Sequence, residues 1–124
     1  MIKLYKTQHE YDTLEFDNGA TAIDAGVGVD LTDGKLAVST TPKYVTLQPC
    51  GANEKRCLVH EIRKDELYST SLSASGASLN VGDAVTVASG AKQVTATTAS
   101  GIFRIEEFKD ATKASGSVVV GRFI

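Results

Sequence analysis

The sequence predicts an all-β domain with little or no helix, either a single compact antiparallel β-sandwich or a partly open barrel. Short runs rich in β-branched residues alternate with turn signals about every 8–12 residues. No stretch keeps an apolar helical period for three turns. The connections between predicted strands are short, which favours antiparallel pairing. With 124 residues, the chain has the length of one domain, so residues 1–124 are expected to fold together.

The clearest strand pattern lies in residues 79–108, where we expect a β-meander of three strands. Residues 84–87 are rich in valine and threonine and form the first predicted strand. A serine-glycine turn precedes the second strand, residues 93–98, and another precedes the third, residues 102–108. The remaining strands are expected to complete sheets around this unit.

The N-terminal half contains one strong hairpin signal, because Asp33-Gly34 suits a type I′ turn. Residues 44–48 and 56–62 then predict a second strand pair. The apolar residues on either side of the hairpin turn alternate at period two: Val27, Val29, Leu31, Leu36 and Val38.

The two ends of the chain are predicted to be extended. Residues 1–16 begin with a short alternating apolar segment, which indicates either an extended arm or an edge strand. Residues 117–124 close the chain with three valines followed by phenylalanine and isoleucine, which predict a last strand.

Charge and hydropathy disfavour several classes of partner. The net charge is −2 and the pI is about 5.6, so no overall field favours nucleic acid or an anionic membrane. No apolar run approaches the roughly 20 residues of a membrane-spanning helix. The N-terminus lacks the apolar core of a secretory signal, which predicts synthesis and folding in the cytoplasm.

The two cysteines, Cys50 and Cys57, allow three interpretations. They are either two unpaired thiols, as a reducing cytosol favours, or a disulfide across a short loop. With His60 they would also offer three zinc ligands, since thiolate and imidazole suit that ion. The spacing C-x6-C-x2-H matches no known zinc motif and no fourth ligand stands near, so no metal site is predicted.

The sequence predicts no enzyme and no cofactor. His9 and His60 are the only histidines, and neither accompanies a recognisable nucleophile motif. The adjacent carboxylates Glu106 and Glu107 would face opposite sides of a strand, so they cannot share a site.

Several segments occur together in a combination with a known counterpart. They are S-L-N-V-G-D-A-V-T-V, K-Q-V-T-A-T-T-A-S-G-I-F-R-I and G-S-V-V-V-G-R-F, with A-I-D-A-G-V-G-V-D-L-T-D-G-K-L, P-K-Y-V-T-L and C-L-V-H-E-I before them. This combination resembles the head decoration (capsid cement) proteins of tailed bacteriophages, which have a small β-tulip-like domain. The resemblance covers most of the chain and implies a compact β domain without catalytic residues.

The resemblance also implies a function. It predicts a structural virion protein, made in the host bacterial cytoplasm, that binds the outer surface of an assembled capsid and stabilises it. The implied partner is the lattice of the major capsid protein. Both a monomer and a homotrimer at local threefold positions are compatible with this role.

Residues 1–16 and 49–56 are the expected contact segments, because both interrupt the strand pattern and mix polar with apolar side chains. Within them the candidate contact residues are Ile2, Leu4, Tyr5, His9, Tyr11, Asn53, Lys55 and Arg56. Two alternatives remain open: a fibre or tail-associated module that binds a host receptor, and a small β-barrel that serves as an accessory domain.

Overall fold

A computed structural model describes residues 1–6 and 13–124 of the chain and contains ten strands. They are β1 Lys3–Lys6, β2 Thr13–Phe16, β3 Gly28–Thr32, β4 Lys35–Val38, β5 Tyr44–Thr46, β6 Cys57–Glu61, β7 Leu67–Ser71, β8 Ala84–Val85, β9 Phe103–Phe108 and β10 Val118–Phe123. Across these residues there is no helix that is long and apolar enough to cross a membrane.

The strands form two antiparallel sheets of five strands each. The first sheet has the order β1-β7-β10-β9-β8 and the second β2-β6-β5-β3-β4. The sheets do not close into a barrel, so the predicted all-β antiparallel fold is confirmed, and the arrangement is consistent with a compact β-sandwich.

The N-terminal strands β1 and β2 are edge strands, one in each sheet. β1 pairs with β7, with Lys3 opposite Ser69. β2 pairs with β6, with Thr13 opposite His60. Within the described part of residues 1–16, the chain therefore adds an edge to each sheet.

The predicted hairpin and the predicted middle strand pair are both confirmed. Asp33 and Gly34 have φ values of 51° and 77°, as a type I′ turn requires, and they join β3 to β4. β5 pairs with β6, with Tyr44 opposite Glu61.

The predicted three-strand meander is wrong in its second strand. Only β8 and β9 form regular strands between residues 79 and 108. Val94 makes isolated bridges with Val87 on one side and Leu72 on the other. Its N–H donates to the carbonyl of Ser71, whereas the N–H of Thr95 donates to Thr86. The N–H of Thr86 itself donates to the carbonyl of Thr97, so the pairing shifts by two residues at this point and no continuous ladder forms.

Three aromatic rings of the first sheet pack edge to face in the core. The ring centroids of Tyr68 and Phe123 are 5.4 Å apart, and those of Phe103 and Phe123 are 5.3 Å apart. Buried aliphatic side chains from both sheets surround them, among them Val29, Val45, Val59, Leu72, Val85, Val94, Ile105 and Val119.

The close approach of β9 to β10 depends on Gly121. The register between the two strands shifts between Val120 and Gly121. A methyl group on Gly121 would overlap the carbonyl oxygen of Arg104 and lie 2.7 Å from Cε1 of Phe103. The central strand pair of the first sheet therefore requires glycine at this position.

The Gly121→Ala variant is expected to lower the free energy of unfolding by about 1–3 kcal/mol, because the added methyl group must displace backbone. Gly51→Ala is the matched control, since a methyl group there meets no atom within 4 Å. Its expected change is within about 0.5 kcal/mol. Urea denaturation followed by circular dichroism measures both, and equal stabilities of the two variants would contradict the packing argument.

Candidate partner-binding surface

The loop between β5 and β6 projects six consecutive exposed residues, 51–56, between two buried cysteines. Three of the predicted contact residues, Asn53, Lys55 and Arg56, lie in this exposed run. The structure therefore places these three side chains on one short surface segment, which we call the 51–56 loop.

The 51–56 loop is held in place by Asn18, whose side chain is buried. The Nδ2 of Asn18 donates to the carbonyl of Gly51 at 2.9 Å. The backbone N–H of Asn18 donates to the carbonyl of Glu54 at 2.9 Å, and that of Asn53 donates to Gly19 at 2.7 Å. The loop is thus anchored on the segment that follows β2. In the sequence, Asn18 belongs to an ordinary turn signal, which gives no indication of this contact.

Two loop residues adopt left-handed backbone conformations, Asn53 and Arg56, each with φ of 58°. This region is uncommon for a residue as long as arginine. The carboxylate of Asp17 accepts a hydrogen bond from the N–H of Arg56 at 3.3 Å and another from Nζ of Lys55 at 3.3 Å. These two contacts lower the pKa of Asp17, the N–H of Arg56 having the larger effect. The loop conformation therefore has specific polar support at both left-handed positions.

The N-terminal candidates divide into buried and exposed residues. Ile2 is only 2% exposed, and its N–H donates to the carbonyl of Gly26 at 2.8 Å, so it is a packing residue and not a surface contact. Leu4 is half-buried and packs against the core. His9 and Tyr11 lie outside the described residues.

Tyr5 is a described N-terminal candidate with an accessible aromatic side chain, at 41% exposure. The Nζ of Lys109 lies 5.0 Å from the centroid of its ring. Hydrogen bonding to Tyr5 and then to Glu107 raises the pKa of Lys109. Tyr5 and Lys109 therefore form a small aromatic and cationic patch on the first sheet.

The structure does not join this patch to the 51–56 loop. The 51–56 loop precedes Cys57, the first residue of β6. Lys6, at the end of β1, instead pairs with Leu67, and Leu67 follows the opposite end of β6. The predicted contact residues therefore form two separate surfaces.

A second polar group lies between the two sheets, in the interior. The Nε2 of His60 is 2.8 Å from Oε1 of Glu66, and the hydroxyl of Tyr68 donates to the same oxygen at 3.0 Å. The hydroxyl of Tyr68 also accepts a hydrogen bond from the N–H of Arg63 at 3.3 Å. Burial raises the pKa of Tyr68, so its hydroxyl keeps its proton.

The His60 and Glu66 side chains are 3% and 1% exposed, so both are buried between the sheets. The arrangement joins β6 to the start of β7. His60 alternates with Leu58 and Ile62 in the sequence, a pattern that predicts a half-buried histidine, and it is buried more completely than that. Glu66 follows the charged residues 63–65, and nothing else in the sequence indicates its buried role.

The three side chains considered for zinc do not come together. Cys57 and His60 are three residues apart on β6, so they face opposite sides of the strand. Among the described residues, the ligand atoms of Cys50, Glu54 and Cys57 do converge, all within 4.8 Å of one another. The two thiols are not joined by a disulfide in this structure. Burial, more than any other cause, raises their pKa values, which makes them weak nucleophiles.

The Tyr68→Phe variant is expected to lower the free energy of unfolding by about 1–3 kcal/mol. The phenyl ring keeps the packing against Phe123, while Glu66 loses a buried hydrogen-bond donor. Tyr5→Phe, at an exposed tyrosine, serves as the control and should change stability by about 0.5 kcal/mol or less. Thermal and urea unfolding measure both variants. A Tyr68→Phe protein as stable as the control would show that the hydroxyl contributes nothing to the link between sheets.

No family model matches this chain, and no curated protein matches it with significant similarity.

Proposed function

We propose that this protein is a structural virion protein that binds the outer surface of an assembled bacteriophage capsid and stabilises the shell. Its partner in this role is the lattice of the major capsid protein, and its place is the virion surface. The resemblance of the strand segments to decoration proteins suggests the role. The observation that carries it structurally is the exposed 51–56 loop, whose backbone is held by hydrogen bonds.

A loop of fixed conformation favours binding because little backbone entropy is lost when the partner docks. The contacts from Asn18 and Asp17 hold the backbone of the loop before any partner arrives. The loop presents an amide, a carboxylate, an ammonium and a guanidinium group in four consecutive positions, from Asn53 to Arg56. Arginine is enriched at protein interfaces, and its guanidinium group pairs well with carboxylates.

The Tyr5 and Lys109 patch gives the proposed module a second contact. Tyrosine provides a large contact area at a low cost in side-chain entropy. With two surfaces on one rigid sandwich, each copy can touch two neighbouring subunits. Contacts that form only in the assembled state stabilise that state by mass action, and simultaneous engagement of two sites strengthens the binding.

The first test is co-sedimentation of the purified protein with mature capsids and with immature procapsids of a phage that encodes it. The proposal predicts saturable binding to mature capsids and a higher temperature for capsid disruption when the protein is bound. Sedimentation with neither particle, by a protein that is folded by circular dichroism, would overturn the proposal. Binding of that protein to host cells or glycans would instead favour the receptor-binding module.

A charge reversal in the loop tests which surface is used. Arg56→Glu is expected to weaken capsid binding at least about tenfold, which corresponds to about 1.4 kcal/mol. It leaves the contacts of Asp17 with Lys55 and with the backbone N–H of residue 56 in place. The matched control is Lys64→Glu, which changes the net charge equally at an exposed residue beyond the other end of β6. Equal loss of binding in both variants would mean that overall charge, and not the loop, governs the association.

The Tyr5→Ala variant tests the second patch without removing the buried Ile2. Deletion of the N-terminal segment is less informative, because it also removes an edge strand and part of the core. If Tyr5 contacts the capsid, the variant should bind more weakly while its Tm stays close to that of the parent protein. Unchanged affinity would confine the binding surface to the 51–56 loop and its surroundings.

A further inference from the structure

Two buried thiols and one carboxylate converge at the base of the 51–56 loop. Cys50 forms an antiparallel bridge with Ile23, with N–H to carbonyl distances of 2.7 and 2.8 Å in the two directions. Cys57 opens β6 and pairs with Phe16 of β2. Because both cysteines belong to paired backbone, their side chains are placed by the sheet and not by the loop alone.

The separation of the donor atoms suits a tetrahedral metal ion. The Sγ of Cys57 lies 3.2 Å from Oε2 of Glu54, and all three donor atoms lie within 4.8 Å of one another. Bonds of about 2.3 Å to sulfur and about 2.0 Å to oxygen would place tetrahedral ligands roughly 3.5–3.8 Å apart. Small side-chain rotations are therefore enough to bring the three donors onto one ion.

We propose that Cys50, Cys57 and Glu54 form a binding site for a thiophilic divalent ion of the zinc class. Thiolate ligands select such ions over magnesium and calcium, which prefer oxygen. Glu54 is exposed, so the ion has a path from solvent to the two buried sulfurs. Solvent completes the fourth position, and the ion replaces the two thiol protons, which pass to the buffer.

The loop between the two cysteines gives this site a structural consequence. An ion on Cys50, Glu54 and Cys57 closes a ring of eight residues that contains the whole exposed run. Binding to the folded chain stabilises it by mass action. The inference does not depend on capsid binding, because it concerns the donor atoms and the stability of the chain alone.

The test is a titration of the reduced, metal-free full chain with Zn²⁺ and separately with Co²⁺. We expect one equivalent to bind by calorimetry, with a higher Tm in the presence of Zn²⁺. With Co²⁺ we expect thiolate-to-metal charge-transfer absorption in the near ultraviolet, which carboxylates and imidazoles do not produce. Failure of the reduced protein to bind either ion at micromolar concentration would overturn the proposal.

Three variants locate the site. Glu54→Gln is expected to weaken Zn²⁺ binding at least about tenfold, and Cys50→Ser should remove most of the charge-transfer band. Glu61→Gln changes an exposed carboxylate at the far end of β6 and should bind as the parent does. Because Glu54 is exposed, its variant remains informative even where the Cys50 variant does not fold.

Two further outcomes would count against the site. Zn²⁺ binding that is equally strong in Glu54→Gln and Cys50→Ser would place the ion elsewhere on the chain. A protein isolated under non-reducing conditions that is lighter by two hydrogen atoms and resists thiol alkylation would show that the two cysteines pair with each other instead.

Discussion

The contact of Tyr68 with both sheets is the interaction on which the sandwich most depends. Its ring packs on Phe123 in the first sheet. It also lies near His60 in the second sheet, and the centroids of the Tyr68 and His60 rings are 6.3 Å apart. Its hydroxyl donates to Oε1 of Glu66, so one side chain both hydrogen-bonds a buried carboxylate and fills the core. Buried polar groups of this kind are tolerated only when their partners are in place, which fixes how the two sheets face each other.

The 51–56 loop depends on a similar arrangement at the surface. Asn18 substitutes for a neighbouring strand by supplying hydrogen bonds to the carbonyls of Gly51 and Glu54. The exposed residues are therefore supported by a buried amide, and the two cysteines on either side belong to paired backbone, Cys57 in β6 and Cys50 in an isolated bridge with Ile23. The side chains proposed to contact the capsid therefore lie on the exposed loop. The donor atoms proposed to bind the metal ion converge at the base of the same loop.

Local patterns predicted the strands that pair with neighbours close in sequence. Asp33-Gly34 specified its hairpin, because turn type and register are both set by adjacent residues. Residues 93–98 were predicted to be a regular strand and are not, since Val94 makes only isolated bridges and the pairing with Thr86 is out of register. Pairing between distant segments determines such cases, and periodicity carries no information about it.

The site was predictable to a similar extent. Asn53, Lys55 and Arg56 were identified because they interrupt the strand pattern, and they are exposed. Ile2 was assigned to the surface on the same ground, yet its hydrogen bond to Gly26 draws it into the core. Asn18, Glu54 and Glu66 act through partners that the fold brings near, so their residue types alone gave no indication of these roles.

The position of β1 and β2 has a consequence for assembly of the chain. Lys3 pairs with Ser69 and Thr13 with His60, so both edges close only after much of the chain has been made. Loop closure over such separations is slow compared with hairpin formation. Until the first strands dock, β6 and β7 each expose an unpaired edge, which is a template for pairing with another chain. Synthesis of many copies close together would therefore favour the exchange of strands between chains that are still folding.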